Sequence, residues 1–358
     1  MTIPLPVQID TWQMTEPGTL ARTSLPVPQL SQDEALVEVR ACGVCHTDIS
    51  FFYHGIPTEQ KPPLTLGHEI SGVVVAGPPR LLGCEVLVPA VMPCNQCEIC
   101  RSGRSNRCLA QKMPGNSLGI YGGFSSHIPV PAADLCVIGD RKGMRLEDLC
   151  IVADAVTTPY YAVLRARIQE GDRVVVVGAT GALGIFVTQI AKLMGATTVI
   201  GIGRNPDKLK LIERYGADFT VNASGKDAKA VREAVKSYAK ERNIPSNWGW
   251  KIFEVTGVKT GQEIALALLS FVGTLVVVGY GTGKSEFMLS KLMAYEADIV
   301  GAWGCPPKYY PEALRLCLER KITLEPFVET RPMSRIASVF DEALHGRFLG
   351  RAILTPDF

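Results

Sequence analysis

The chain has 358 residues, 47% of them hydrophobic and 20% charged, with a formal net charge of +2 and acids and bases mixed along its length. That length suits two domains, each burying a core of its own, and the near-neutral balance gives no reason to expect nucleic acid or a membrane surface as a partner. No apolar run reaches the roughly 20 residues needed to span a bilayer, and the opening MTIPLPVQIDTWQM lacks the basic and apolar regions of a secretion signal, so a cytoplasmic protein is expected.

Residues 1–154 are rich in Pro and Gly, with short apolar or alternating runs at 35–40, 70–76 and 85–91. The pattern predicts small β-strands separated by turns and long loops. Two short motifs stand among them, Gly43-Val44-Cys45-His46-Thr47-Asp48 and Gly67-His68-Glu69. One thiolate, one imidazole and a third protein ligand would leave a coordination position for water or substrate, which is the arrangement of a catalytic zinc. Asp48 is a candidate acceptor for the other ring nitrogen of His68.

Further on, Cys94-Asn-Gln-Cys97-Glu-Ile-Cys100 and then Cys108 supply four thiolates from one stretch of chain. Short spacers let one loop wrap a tetrahedral zinc, and four protein ligands leave no open position, so such a metal is structural. The same ligand set also suits an iron–sulfur cluster. The chain has 11 cysteines, and in a long cytosolic chain their clustering points to metal rather than to disulfides. Cys84, Cys136, Cys150 and Cys317 sit in apolar surroundings and are expected to be buried thiols.

The texture changes after residue 155. A β-branched run at 173–177 is followed by glycines and by helical spacing over 185–194; 197–202 reads as a strand and 206–215 as a helix. Apolar strands at 251–255, 275–278 and 299–302 continue the series, with a helix over 262–271 between the first two. Strands alternating with helices imply a parallel sheet with crossovers on both faces. The turn Gly178-Ala-Thr180-Gly181-Ala182-Leu183-Gly184 lies between the first strand and its helix. Glycines there let the backbone approach a pyrophosphate, and the helix N-terminus attracts its charge, so this is the candidate dinucleotide loop. The tail returns to a mixed texture and ends on a strand-like 351–355.

In this order, Cys45, the GHE at 67–69, the four-cysteine lobe and the dinucleotide loop, the chain resembles the zinc-dependent medium-chain alcohol dehydrogenase family over essentially its whole length. The resemblance implies an α/β protein with a GroES-like β-rich catalytic domain made of 1–154 and 301–358. A Rossmann doubly wound parallel-sheet domain, 155–300, is inserted into it, with the active site in the cleft. It also implies two Zn2+ per subunit, one catalytic and one structural, and a homodimer or homotetramer.

By the same resemblance Cys45 and His68 match the first two catalytic zinc ligands. The third falls on Asp154, in Asp154-Ala-Val-Thr-Thr-Pro-Tyr160, where many members have Cys. A carboxylate is a competent ligand that would leave the metal a stronger Lewis acid. Glu69 matches a residue that can approach the zinc, Thr47 the hydroxyl that passes the alcohol proton toward solvent, and His46 and Arg351 positions that contact the pyrophosphate. Ser50 stands where some relatives continue the proton relay with a histidine. The second strand of the inserted domain ends Ile200-Gly-Ile202-Gly203-Arg204, with Gly203 in place of the acid that binds the ribose hydroxyls of NAD. Arg204 would favour a 2′-phosphate and hence NADP, or would simply stack on adenine.

Segments 61–72, 108–127 and 245–257 are similar to those of dehydrogenases acting on alicyclic hydroxyacyl-CoA esters. That likeness implies a small-molecule CoA-ester substrate and NAD as cofactor, against the hint from Gly203 and Arg204. The alternatives are an NADP-linked zinc reductase or dehydrogenase of small or allylic alcohols, and a non-catalytic dinucleotide-binding protein.

Overall fold

Glu34–Gly43 is the strand around which the N-terminal half assembles in the computed structural model, which describes residues 5–358. The first four residues, part of the opening read for a secretion signal, lie outside the described residues. This strand pairs antiparallel with Glu69–Ala76, with His127–Pro131 and with the C-terminal Arg351–Thr355. It belongs to a seven-stranded sheet in which Val328–Pro332, Arg351–Thr355, Glu34–Gly43, Glu69–Ala76, Glu85–Val88 and Cys136–Val137 follow one another, His127–Pro131 pairing off this path. A second sheet joins Thr19–Pro26, Gln8–Glu16 and Leu64–Thr65.

Val37, Ile49, Phe52, Leu66, Ile70, Phe124 and Phe340 are among the buried side chains of this unit's core. Phe340 comes from the far end of the chain yet packs edge-on against Phe52 and Phe124, with centroids 5.3 and 5.6 Å apart. Each such buried side chain contributes about 1.5–3 kcal/mol relative to exposure. The tail therefore belongs to the N-terminal half for a packing reason as well as through its strand. By contacts the chain up to Thr157 and Gly304–Phe358 form one unit, and Thr158–Trp303 forms the other.

The second unit is a six-stranded parallel sheet in the order Phe219–Asn222, Thr198–Gly203, Arg173–Val177, Trp250–Glu254, Thr274–Val277, Asp298–Gly301. Counted along the domain this is 3-2-1-4-5-6, the doubly wound order, which reverses between the first and fourth strands. Val174 to Val177 are all buried, as a strand covered by helices on both faces requires.

Element ends differ from the sequence expectation in informative places. The helix after the first strand runs Ala182–Leu193, so Ala182, Leu183 and Gly184 form its first turn instead of preceding it. The apolar period begins only at Ile185 because that turn is partly open to solvent. The expected helix over 262–271 is Lys259–Leu268. Phe271 instead bridges to Trp248, with its N–H bonded to Asn247 O. Of the thiols expected to be buried, Cys136, Cys150 and Cys317 are; Cys84 is half-exposed. Among the described residues no helix is long and apolar enough to cross a membrane.

Candidate active site and metal centres

Cys94, Cys97, Cys100 and Cys108 converge around the one-turn helix Glu98–Arg101 and the turn Ser105–Arg107. Their sulfurs lie 3.4 Å (Cys97–Cys100), 3.8 Å (Cys97–Cys108) and 3.9 Å (Cys94–Cys100) apart, and all four fall within 4.8 Å of one another. The edges of a tetrahedron with Zn–S bonds of about 2.3 Å are about 3.8 Å, so the donor set fits zinc without rearrangement. Backbone N–H groups of Gln96 and Cys97 hold the Cys94 thiol down to about 6, while burial pushes Cys100 up to about 12. One sulfur is thus ready as a thiolate, and a cation would deprotonate the others.

The second cluster forms where chain segments turn sharply. Cys45 is the N-cap of helix His46–His54, and the buried Asp48 closes that cap by accepting the Cys45 N–H at 2.9 Å. The other Asp48 oxygen accepts the Gly67 N–H at 2.9 Å and lies 3.4 Å from His68 Nδ1. One carboxylate therefore anchors the Cys45 and Gly67 turns and faces His68 Nδ1, the nitrogen for which Asp48 was the candidate acceptor. His68 Nε2 and Cys45 Sγ each lie 3.7 Å from Asp154 Oδ2, and Thr47 Oγ1 is 3.7 Å from Cys45 Sγ. Cys45, His68, Glu69 and Asp154 all place a donor atom within 4.8 Å of one another. Burial opposes the charge of His68, but Asp48, Asp154 and Cys45 together raise its proton affinity well above the usual imidazole value. That is the signature of a pocket whose donors present negative potential and suit a cation.

Glu69 sits behind the ligands, fully buried, in an ion pair with Arg351 at 2.9 Å. Burial pushes its pKa up to about 8, with Arg351 pulling the other way. Arg351, placed on the pyrophosphate by the family resemblance, is itself 4% exposed, and its Nη1 donates to Val44 O at 3.1 Å. It braces the Cys45 turn and Glu69 from within its own unit. His46, given the same expected role, is solvent-exposed on the first turn of the helix that Cys45 caps.

Three positioning features escape sequence reasoning. A Cβ at Gly43 would lie 2.0 Å from Glu69 Oε2, so the strand can pass the buried carboxylate only with glycine there. Gly67 has φ +92 and would press a Cβ to 2.7 Å from Cys42 Sγ. Tyr310 donates its hydroxyl to Ala153 O, next to Asp154, and accepts the Ala90 N–H at 3.0 Å. These two residues are 157 positions apart in sequence, and no local signal links them.

In the other unit, Gly178 takes φ +94, and the N–H groups of Gly178 and Ala179 both donate to Ile202 O at 2.9 Å. Gly181 is the extended N-cap of Ala182–Leu193. A Cβ on Gly184 would lie 2.1 Å from Gly178 O, so that helix packs closely under the loop. A Cβ on Gly203 would meet Thr180 Cγ2 at 2.7 Å and Oγ1 at 2.9 Å, so Thr180 fills the space beside the position the ribose-binding acid would take. Arg204 follows, exposed.

Two family descriptions match the sequence, an alcohol dehydrogenase GroES-like domain over residues 31–140 and a zinc-binding dehydrogenase over residues 182–319. An alcohol dehydrogenase of Geobacillus stearothermophilus is 30% identical over 337 residues, covering 92% of this chain and 94% of the relative. Sorbitol dehydrogenase of Bombyx mori is 27% identical over 342 residues, covering 90% and 91%. Among solved structures, acetophenone reductase of Geotrichum candidum in complex with NAD matches with a TM-score of 0.83 at 25% identity, covering 98% of each chain.

Proposed function

The chain belongs to the zinc-dependent medium-chain alcohol dehydrogenase family, and from that premise we propose that it oxidises the ring hydroxyl of an alicyclic hydroxyacyl-CoA ester. The substrate proposed is 6-hydroxycyclohex-1-ene-1-carbonyl-CoA, an intermediate of anaerobic benzoyl-CoA degradation, oxidised to the conjugated ketone with NAD. One observation carries this reading. Two of the three stretches similar to CoA-ester dehydrogenases, 61–72 and 108–127, are hydrogen-bonded to each other next to His68. Gly123 N–H donates to Gly67 O at 2.8 Å, Phe124 N–H to Leu66 O at 3.0 Å, and Thr65 N–H to Gly119 O at 3.3 Å.

In this reading Cys45, His68 and Asp154 would hold the catalytic zinc, with Glu69 within reach as a further donor. Asp48 Oδ1, 3.4 Å from His68 Nδ1, would favour the proton on that nitrogen and leave Nε2 as the ligand atom. A bound zinc would supply Lewis acidity at this site, and a bound nicotinamide would supply the hydride acceptor. Thr47, beside Cys45, takes the hydroxyl proton and passes it toward solvent. The substrate thus loses one hydride from carbon and one proton from oxygen. The cysteine lobe holds the second zinc and takes no part in the chemistry.

Steady-state rates with the hydroxyacyl-CoA ester, short alcohols and polyols, each with NAD and NADP, test the proposal. Absence of turnover on the CoA ester overturns it. An NADP-linked dehydrogenase of small or allylic alcohols is the second reading, favoured by Gly203, by Thr180 beside the acid's position and by the neighbouring Arg204. We further propose a homodimer or homotetramer formed through the edge of the six-stranded sheet.

A further inference from the structure

At the carboxyl end of one strand in the six-stranded sheet, a single residue closes its own turn through its side chain and meets the next strand's loop through its backbone carbonyl. Glu254, the last residue of Trp250–Glu254, is 1% exposed. Its Oε1 accepts the Thr256 N–H at 2.7 Å, the Thr256 hydroxyl and the Gly257 N–H at 3.2 Å, and its Oε2 lies 3.3 Å from the same Gly257 nitrogen. Its backbone carbonyl accepts from Val278 N and Gly279 N, at 2.9 and 3.0 Å, where the loop after the next strand begins. That loop runs backbone to backbone with the first: a Cβ at Gly279 would lie 2.2 Å from Gly257 N, and one at Gly281 1.8 Å from Gly257 O. On the other side Thr256 abuts the dinucleotide loop, since a Cβ at Gly178 would lie 2.6 Å from Thr256 Cγ2.

A carboxylate without a cation partner is an expensive way to fill a buried space. Here all its hydrogen-bond donors are neutral groups of a single turn. Burial raises the proton affinity of Glu254, and the bonds from Thr256 and Gly257 oppose that rise. Those bonds fix the turn at the point where strand order reverses, and a dinucleotide lies across the crevice at the carboxyl ends of the strands at such a point. The loops after the first three strands face its adenosine half, and those after the last three its nicotinamide half.

We propose that Glu254 is a positioning residue for the nicotinamide half of the cofactor. It holds Thr256 against Gly178 and Gly257 against the loop at Gly279 and Gly281, and so sets the seat for that half relative to the pyrophosphate loop. The inference rests on the reading of this unit as the dinucleotide domain, and it holds for NAD or NADP alike.

The test uses the full-length, zinc-loaded protein and Glu254→Gln, which keeps the volume but places an amide N–H2 against existing donors. NAD, NADP and AMP are titrated without alcohol substrate, and KM and kcat are then measured with the better dinucleotide. Glu254→Gln is expected to bind that dinucleotide about 10-fold more weakly, the effect of spoiling one charge-assisted hydrogen bond, with KM rising in step. AMP affinity and zinc content stay at the wild-type level. Thr256→Val, which removes one donor at nearly constant volume, moves in the same direction by less and serves if Glu254→Gln folds poorly. Unchanged dinucleotide affinity overturns the proposal, and so does an equal loss for AMP, which would mark the bonds as merely structural. A wild-type protein that binds neither dinucleotide overturns the dehydrogenase reading itself, and this inference with it.

Discussion

At Asp48 a single carboxylate caps a helix through Cys45 N, holds Gly67 N and faces His68 Nδ1. The two candidate ligands are therefore oriented by the same group, and Asp48→Asn is expected to weaken zinc at this site about 10–100-fold, measured by chelator competition. Cys45→Ser and Asp154→Ala act on the ligands themselves. Metal analysis of either variant is expected to find about one zinc per chain in place of about two, with dehydrogenase activity lost and the thiolate lobe still loaded. Retention of both ions after Asp154→Ala would show that the third ligand lies elsewhere. Gly43→Ala tests packing instead of ligation. Its methyl group would meet Glu69 Oε2 at 2.0 Å, and displacing a buried, ion-paired carboxylate is expected to lower stability by about 1–3 kcal/mol in denaturant unfolding.

At the level of elements, the site depends on how short pieces end. The turn into helix His46–His54, the left-handed Gly67 before strand Glu69–Ala76, and the 3-10 turn Asp148–Ala153 each deliver one candidate ligand at a terminus. The cysteine lobe is the opposite case, since its only helical pieces are Glu98–Arg101 and Ser105–Arg107. With so little regular structure, a zinc held by the four sulfurs would supply most of the lobe's stability. Cys97→Ser is expected to release that zinc, to make the 94–108 stretch the first site cut in limited proteolysis, and to lower the thermal midpoint. An uncut lobe at the wild-type midpoint would contradict a metal-held structure.

For the molecule as a whole, the sheet of Thr158–Trp303 ends on a strand that its own unit leaves uncovered. Asp298–Gly301 has one hydrogen-bonded neighbour, and Asp298, Ile299 and Gly301 are exposed. The helix Ser290–Tyr295 buries no residue, and Leu289 and Met293 are 75% and 78% exposed. An open edge flanked by apolar side chains invites pairing with another chain. Sedimentation velocity is expected to show a dimer or tetramer for the wild type and dissociation for Ile299→Lys, which sets a charge on that edge. A monomeric wild type at micromolar concentration would refute the sheet-edge assembly.

Features whose physics is local were legible in the chain alone. Four closely spaced cysteines have to share a loop, a β-branched run before a glycine turn has to be a strand leading into a helix, and Cys45, His68 and the glycines of 178–184 carry their chemistry in neighbouring residues. Asp154 was legible only through family resemblance. The tertiary structure alone decided what depends on distant segments meeting. It showed that Arg351 turns inward to Glu69 and Val44, that Tyr310 steadies the carbonyl before Asp154, that Thr180 stands beside Gly203, and that the Glu254 carbonyl meets the loop at Val278 and Gly279. Such contacts leave no periodicity in the chain, because the partners are fixed by strand order and packing rather than by spacing along the sequence.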